Sequence, residues 1–347
     1  MKTTTIKDIA RALNMSTSTV SRALRDSYEI NPATKKLILD YAEKMHYSPN
    51  PIALSLKESR SKSIGVIVPE IANNFFSQTI NGIEAVAAEY GYHVVIFQSH
   101  ESYEKEVINT QHLVSRRVDG LLVSLSSLTT DTRHFEELVE RGLPVVFFDR
   151  IPKNIRTFKI IADNFLGSYQ ATEHLLEMGC RKIAHVTSPS WLSITKERLG
   201  GYQQALEKFG VPFQENYIKY CEHGGMVTDE IETAVQQLLD LPAPPDAIFT
   251  ASDRITTGCM SYLRRQKLRI PEDIALVGFT NIAVADLLDP PLTAVTQPAF
   301  EMGQLATELL LSLIQNPEQE ITNEIQCLKT TLTVRASSVQ QATWRPS

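Results

Sequence analysis

The sequence predicts a small helix-turn-helix head joined by a hinge to an α/β body of two lobes with parallel sheets. Three observations carry that expectation. The chain has 347 residues, and at roughly 150 residues per unit this suggests two or three domains. Its net charge of -6 is unevenly spread. Residues 1–62 hold eleven Lys/Arg against six Asp/Glu, and the rest hold 23 against 34, so a +5 head precedes a -11 body. From Ser63 onward, short runs of Val, Ile, Leu and Phe recur about every 25 to 30 residues, the length of a strand-helix unit.

The head reads as helices in order. Thr5-Ile6-Lys7-Asp8 has the form of a capping box, in which Thr5 accepts from a backbone N–H three residues on and Asp8 favours the first turn. A first helix runs to about Leu13, with Ile6, Ile9, Ala10 and Leu13 at helical spacing. Asn14-Met15 breaks the pattern and Ser16 offers a new N-cap. The second helix, roughly Thr17 to Arg25, buries Val20, Ala23 and Leu24 and turns Thr17, Ser18, Ser21 and Arg22 outward. Ser and Thr are mediocre helix formers, so five of them between Ser16 and Ser21 need a reason. Short hydroxyl side chains permit close approach to a major groove and bond phosphates and bases, while Arg22 can fork onto guanine. Asn31-Pro32 caps a third helix through Leu37, Ile38, Tyr41, Ala42 and Met45 that closes a small core. Asn50-Pro51 opens a further helix of about two turns, marginal alone, which would order only against another surface.

The segments Thr5-Ile6-Lys7-Asp8-Ile9-Ala10, Ser16-Thr17-Ser18-Thr19-Val20-Ser21-Arg22-Ala23-Leu24 and Tyr47-Ser48-Pro49-Asn50 closely resemble the head and hinge of the LacI/GalR family of bacterial transcription regulators. The resemblance implies that Thr17, Ser18 and Arg22 read bases in the major groove. It implies too that Leu56 is a wedge pushed into the minor groove at the operator centre, unstacking a base step and bending the duplex. Thr5, Ser16, Thr19, Ser21, Thr34, Tyr47, Asn50 and Lys57 complete the expected DNA contacts. A hinge that folds on specific DNA would couple ordering to specificity. Pro51 departs from many members, which carry a basic or small residue there; it removes a phosphate contact and stiffens the hinge.

In the body, strand candidates are Ile64–Val68, Val94–Phe97, Leu121–Val123, Val145–Phe148, Ile183–Val186, Ala247–Phe249 and Ile274–Val277. They are nearly continuous apolar runs, as strands covered on both faces are. Helices fill the gaps, one through Phe76, Ile80, Ile83, Ala87 and Tyr90 stopped by Gly91, another through Phe165, Tyr169, Thr172 and Leu176 stopped by Gly179. The resemblance extends over nearly the whole chain and implies a periplasmic-binding-protein-like core. Expected units are a head of 1–47, a hinge of 48–62 and a core of 63–347. Lobe one spans about 63–161 and 292–325, and lobe two about 162–291 and 326–347, with the closing strands near Cys327 to Val334 crossing back to lobe two.

Ligands of open parallel sheets bind outside the carboxyl ends of the strands. Residues placed there include Phe75 and Phe76, Asp149, Trp191, Asp253 and Asn281. Aromatic rings stack on apolar sugar faces while Asp, Asn and Arg bond hydroxyls. The resemblance adds Arg198 as an effector contact and places Asp149, Asp253 and Gln297 in the cleft; His223 completes the expected set. Many members have Asp after Val-Gly-Tyr, whereas this chain reads Val277-Gly278-Phe279-Thr280-Asn281, which puts a transferred sugar specificity in doubt.

No phosphate loop, H-E-x-x-H, G-x-S-x-G or paired Cys/His spacing is present, so no enzyme, cofactor or metal is expected. The four cysteines are scattered, which fits a reducing compartment. With no secretory pattern at the start and no run near 20 apolar residues, a cytoplasmic protein without membrane association is expected. The expected protein is a repressor of carbohydrate-related genes. It would bind a pseudo-palindromic double-stranded DNA operator as a homodimer, with a sugar or sugar phosphate effector in the cleft. The tail lacks leucine heptads, so no tetramerising coil is expected. The alternatives are a global regulator controlled by a partner protein, and a solute-binding or sugar-processing protein with an accessory head.

Overall fold

The computed structural model describes residues 4–24, 29–47, 60–318 and 324–339. The expected hinge helix, with Asn50, Leu56 and Lys57, lies outside the described residues, as does the tail after 339. The chain divides into two compact units, Met1–Ser61 and Lys62–Ser347.

In the first unit, α1 (Ile6–Ala12), α2 (Thr17–Ala23) and α3 (Pro32–Lys44) enclose Ile9, Ala10, Val20, Ala23, Ile38 and Ala42. The capping box forms: Asp8 N donates to Thr5 Oγ1 at 3.3 Å and Thr5 N donates to Asp8 Oδ2 at 2.9 Å. Asn14 takes φ 52°, a left-handed conformation that Asn tolerates, and so permits the tight turn between α1 and α2. Two expectations are corrected. Leu24 is the half-buried C-cap of α2 rather than part of its buried stripe. Leu37 and Met45 are 50% and 40% exposed, because Ile38 and Ala42, four residues apart on one face, already close the core.

The second unit holds two six-stranded sheets. Its first strands and helices are β1 (Ser63–Val68), α4 (Asn74–Glu89), β2 (His93–Gln98), α5 (Tyr103–Ser115), β3 (Gly120–Val123), α6 (Arg133–Glu140), β4 (Val145–Phe148) and β5 (Lys159–Ala162). There follow α7 (Asn164–Glu177), β6 (Ile183–Thr187), α8 (Ser193–Lys208), β7 (Ile218–Tyr220), α9 (Thr228–Leu239), β8 (Ala247–Thr250), α10 (Asp253–Arg265) and β9 (Ala275–Phe279). The chain closes with β10 (Thr293–Thr296), α11 (Ala299–Gln315), β11 (Ile325–Leu328) and β12 (Thr331–Thr333). Sheet one has the order β11-β5-β4-β3-β1-β2 with every pairing parallel; sheet two has the order β12-β10-β9-β8-β6-β7, parallel except for β12.

Continuous apolar strands follow from two-sided cover. Ile64, Val66 and Val68 of β1 pack under α4 and α11, while Ile67 points to the opposite face with Leu113 and Phe135. Gly91 and Gly179 follow α4 and α7 at φ 68° and 95°, the left-handed positions that end a helix.

Lobe boundaries differ from the expected ones. β10 joins sheet two beside β9, so the return to lobe one comes after Gln297 rather than at 292. β11 pairs with β5 in lobe one, so only β12 crosses back to lobe two. The short strands β5, β7, β10, β11 and β12 escaped the sequence pattern because Lys159, Lys219, Thr293, Gln326 and Thr331 interrupt their apolar runs. Among the described residues no helix is long and apolar enough to cross a membrane.

Helices α4 and α11 approach each other through Gly82 and Gly303. A methyl on Gly82 would collide with the Phe300 carbonyl oxygen, and one on Gly303 with the Thr79 carbonyl oxygen. Alanine in a helix interior normally stabilises by about 1 kcal/mol over glycine. Here Gly82→Ala and Gly303→Ala are expected to destabilise by about 1–3 kcal/mol, because backbone must move apart. Urea unfolding measures it; a raised midpoint in either variant would show that the helices separate without cost.

Candidate functional site

The first candidate surface is the outer face of α2. Ser16 caps the helix, accepting from Thr19 N at 3.0 Å, and its hydroxyl also bonds Ser18 Oγ at 2.7 Å and Thr19 Oγ1 at 2.8 Å. Capping thus accounts for part of the Ser/Thr cluster. Thr17, Ser18 and Arg22 are exposed, with Ser21 and Thr19 half-buried beside them. Arg22 pairs with Glu29 at 3.0 Å, both more than two-fifths exposed, a bond weak enough to exchange for another anion. Thr5 is held in the capping box, its hydroxyl donating to Asp8 Oδ2 at 2.6 Å. Thr34 is half-buried in the first turn of α3, and Tyr47 packs against the small core, where burial pushes its hydroxyl pKa up.

The second candidate is the cleft between the two lobes of the core. It is lined by Phe75 and Phe76 from the start of α4, Asp149 after β4, Arg198 on α8, Asp253 on α10, Phe279 at the end of β9 and Gln297 after β10. Most stand at carboxyl ends of strands, where the loops of both sheets converge. The cavity is about 40 Å³. Ligand pockets run from ~300 Å³ upward, so a sugar requires the lobes to part.

Arg198 is 4% exposed. Its Nε donates to Asn164 Oδ1 at 2.9 Å, its Nη1 donates to the Ala251 carbonyl, and the guanidinium stacks 3.8 Å from the Phe279 ring centroid. Burial pulls its pKa down to about 10, against nearby Asp149 and Glu197. Asp149 takes φ 59° and is 4% exposed, its Oδ1 accepting from Gln297 Nε2 at 3.3 Å. Burial raises its pKa, opposed by Arg150 and Arg198. Together these place an acceptor and a planar donor against one cavity.

Several expected contacts are occupied otherwise. Asp253 accepts from Thr280 Oγ1 at 2.6 Å and Asn281 N at 3.0 Å through Oδ1, and from Asn74 N across the cleft at 3.1 Å through Oδ2. Asn281 is buried beside the cavity but bonds Gln78 and Gln297. Trp191 stands at the rim, 39% exposed, donating from Nε1 to Ser127 O of the other lobe at 2.7 Å. His223 is outside the lining and bonds the Glu230 carboxylate. Phe76 belongs as much to the core of lobe one as to the cleft.

Further groups brace these residues, and among them the sequence reading missed Glu70, Gln78 and Glu101. Arg150 forms a buried pair with Glu101 at 2.7 Å, and Glu101 Oε2 also accepts from Ser127 N at 2.6 Å. Arg254 pairs with Glu70 across the lobes. The strand-end rule gives Arg150 and Arg254, which adjoin Asp149 and Asp253 in sequence; nothing local marks Glu70, Gln78 or Glu101.

Comparison with known proteins adds the following. A profile described as "Bacterial regulatory proteins, lacI family" matches residues 5–50, and one described as "Periplasmic binding protein-like domain" matches residues 172–338. The HTH-type transcriptional repressor CytR of Escherichia coli (strain K12) is 34% identical over 335 residues, covering 96% of this chain and 96% of its own length. The HTH-type transcriptional repressor PurR of Vibrio atlanticus (strain LGP32) is 34% identical over 318 residues, covering 91% and 93%. Among solved structures, a transcriptional regulator CelR-cellobiose complex matches with TM-score 0.71 and 30% identity over 96% of this chain and 99% of its own. The lac repressor dimer bound to operator and the anti-inducer ONPF shares the fold, with TM-score 0.84 and 24% identity over 98% and 100%.

Proposed function

Because this chain belongs to the LacI family of bacterial transcription regulators, we propose that it is a repressor of carbohydrate-related genes. On this reading it binds a pseudo-palindromic operator as a homodimer and is switched by a sugar in the inter-lobe cleft. Two heads held by a two-fold dimer read two half-sites where one would bind weakly. Thr17, Ser18 and Arg22 would contact base edges, with Ser16, Thr19, Ser21, Thr5, Thr34 and Tyr47 at the backbone, and Asn50, Leu56 and Lys57 in the hinge. Such a repressor works where the chromosome is, in the cytoplasm.

The observation that carries the effector reading is the buried pair of Asp149 and Arg198 facing one cavity with Phe75 and Phe279. Asp149 accepts from sugar hydroxyls, Arg198 donates to them, and the rings take an apolar sugar face. The two carboxylates, Asp149 and Asp253, outnumber the one lining guanidinium without a carboxylate salt bridge, Arg198, which favours an uncharged sugar over a sugar phosphate. The cellobiose held by the CelR relative is of that class.

A thermal-shift screen of sugars and sugar phosphates tests the reading: at saturating concentration a cleft ligand raises the midpoint by mass action. The hit should then change operator affinity. A hit that still stabilises Arg198→Ala as well as the parent would place it elsewhere.

For the hinge, Leu56→Ala is expected to weaken operator binding far more than binding to non-specific DNA, since a wedge acts only on a bent site. Titrations against operator and scrambled duplex check this. Equal losses on both would make Leu56 an ordinary packing residue.

A further inference from the structure

Asn281 spends its side-chain hydrogen-bonding capacity inside the protein. Its Oδ1 accepts from Gln297 N at 3.0 Å and its Nδ2 donates to Gln297 O at 2.8 Å, so the amide pairs with main chain as a neighbouring strand would. That pairing settles its orientation, because a backbone N–H can only donate and a carbonyl only accept. The same Nδ2 donates to Gln78 Oε1 at 3.0 Å, and Gln78 Nε2 returns a longer bond to the Asn281 carbonyl at 3.4 Å. Gln78 lies on α4 in lobe one, whereas Asn281 follows β9 in lobe two. Gln297, held in place by Asn281, then sends Nε2 to Asp149 Oδ1 of lobe one at 3.3 Å. Two crossings of the cleft therefore depend on one amide side chain. A carboxylate at this position could donate to neither Gln78 nor the Gln297 carbonyl, and would face that carbonyl with a like partial charge.

We propose that Gln78, Asn281 and Gln297 form a clasp that holds the lobes together and ties their closure to Asp149, making Asn281 a positioning residue rather than an effector contact. The tie to effector rests on the reading that the ligand occupies the cleft. A hydroxyl donating to Asp149 competes with the long Gln297 bond, loosening Gln297 and through it the clasp. Differential binding of this kind is what lets a ligand shift a two-state equilibrium.

The clasp can be tested without ligand. The chain has two tryptophans, Trp191 and Trp344. Trp191 bonds Ser127 O across the cleft, so in a Trp344→Phe background its emission reports lobe separation. Hydrogen exchange at the Asn74 amide, which donates across the cleft to Asp253, is an independent readout. In the full chain, Gln78→Ala and Asn281→Ala are each expected to shift Trp191 emission to the red and to speed Asn74 exchange by about tenfold, the scale of one or two lost hydrogen bonds. The double variant should shift little more than either single, as coupled residues do. Asp149→Ala should shift emission in the same direction, and Gln78→Glu, which keeps the acceptor for Asn281 Nδ2, should restore part of the parent signal.

Unchanged emission and exchange in Gln78→Ala, or fully additive effects, would overturn the clasp while leaving the effector reading untouched. Where Asn281→Ala does not fold, the contrast of Gln78→Ala with Gln78→Glu decides. A sugar response that survives Arg198→Ala would do the reverse, removing the effector site and leaving the clasp.

Discussion

Arg22→Ala is expected to cost about 1–3 kcal/mol per half-site and to relax preference at a single base position. With two half-sites in a dimer, that is about a thirtyfold to twenty-thousandfold loss of operator affinity. In the free protein Arg22 pairs with Glu29, 3.0 Å away and 48% exposed, a bond of little worth that is readily given up when the guanidinium turns to a base. A bidentate bond to guanine is recovered in full only where both acceptors are present, which is why the loss should be confined to one position. Titration against operators substituted base by base measures this. A uniform loss across all sequences, with a shallower salt dependence, would instead make Arg22 a phosphate contact.

Arg198→Ala is expected to abolish the effector response while leaving DNA binding by the ligand-free protein intact. The truncation removes a donor from the cavity and also strips partners from Asn164 Oδ1, the Ala251 carbonyl and the Phe279 ring. The core should therefore lose about 1–3 kcal/mol of stability, the scale of leaving buried polar groups unpaired. A lysine would keep the charge but not the planar fork, so Arg198→Lys should not rescue the response.

Asp149 gives this variant a pH signature. Its folded pKa is already raised by burial, so it favours the folded state below its unfolded pKa, and that contribution is lost as pH rises through the folded value. Removing Arg198, one of the cations that lower it, raises it further. The stability deficit of Arg198→Ala should therefore be largest at neutral pH and shrink on acidification into the carboxylate range. A deficit independent of pH would separate Arg198 from Asp149 electrostatically.

Features that depend on local chemistry were legible in the order of residues. Thr5 with Asp8 and Ser16 with Thr19 make the caps that the residue types announce, and Gly91 and Gly179 stop their helices at positive φ. The apolar runs from Ile64 to Val68 and from Val145 to Phe148 are strands because continuous burial needs cover on both faces. The charge split fell where the two compact units divide, within one residue of position 62.

Long-range packing of the two sheets set which lobe each late strand joins. Strands of three or four residues such as β10, β11 and β12 carry too little pattern to show their neighbours. It decided too which polar residues near strand ends face the cavity. Arg198 and Asp149 do, whereas Asn281 turns to Gln78, 203 residues away in sequence, and His223 turns to Glu230. Capping and burial are properties of a short stretch of chain, and periodicity records them. A cleft residue is defined by what stands across the gap from it, and that partner is set by the packing of two sheets.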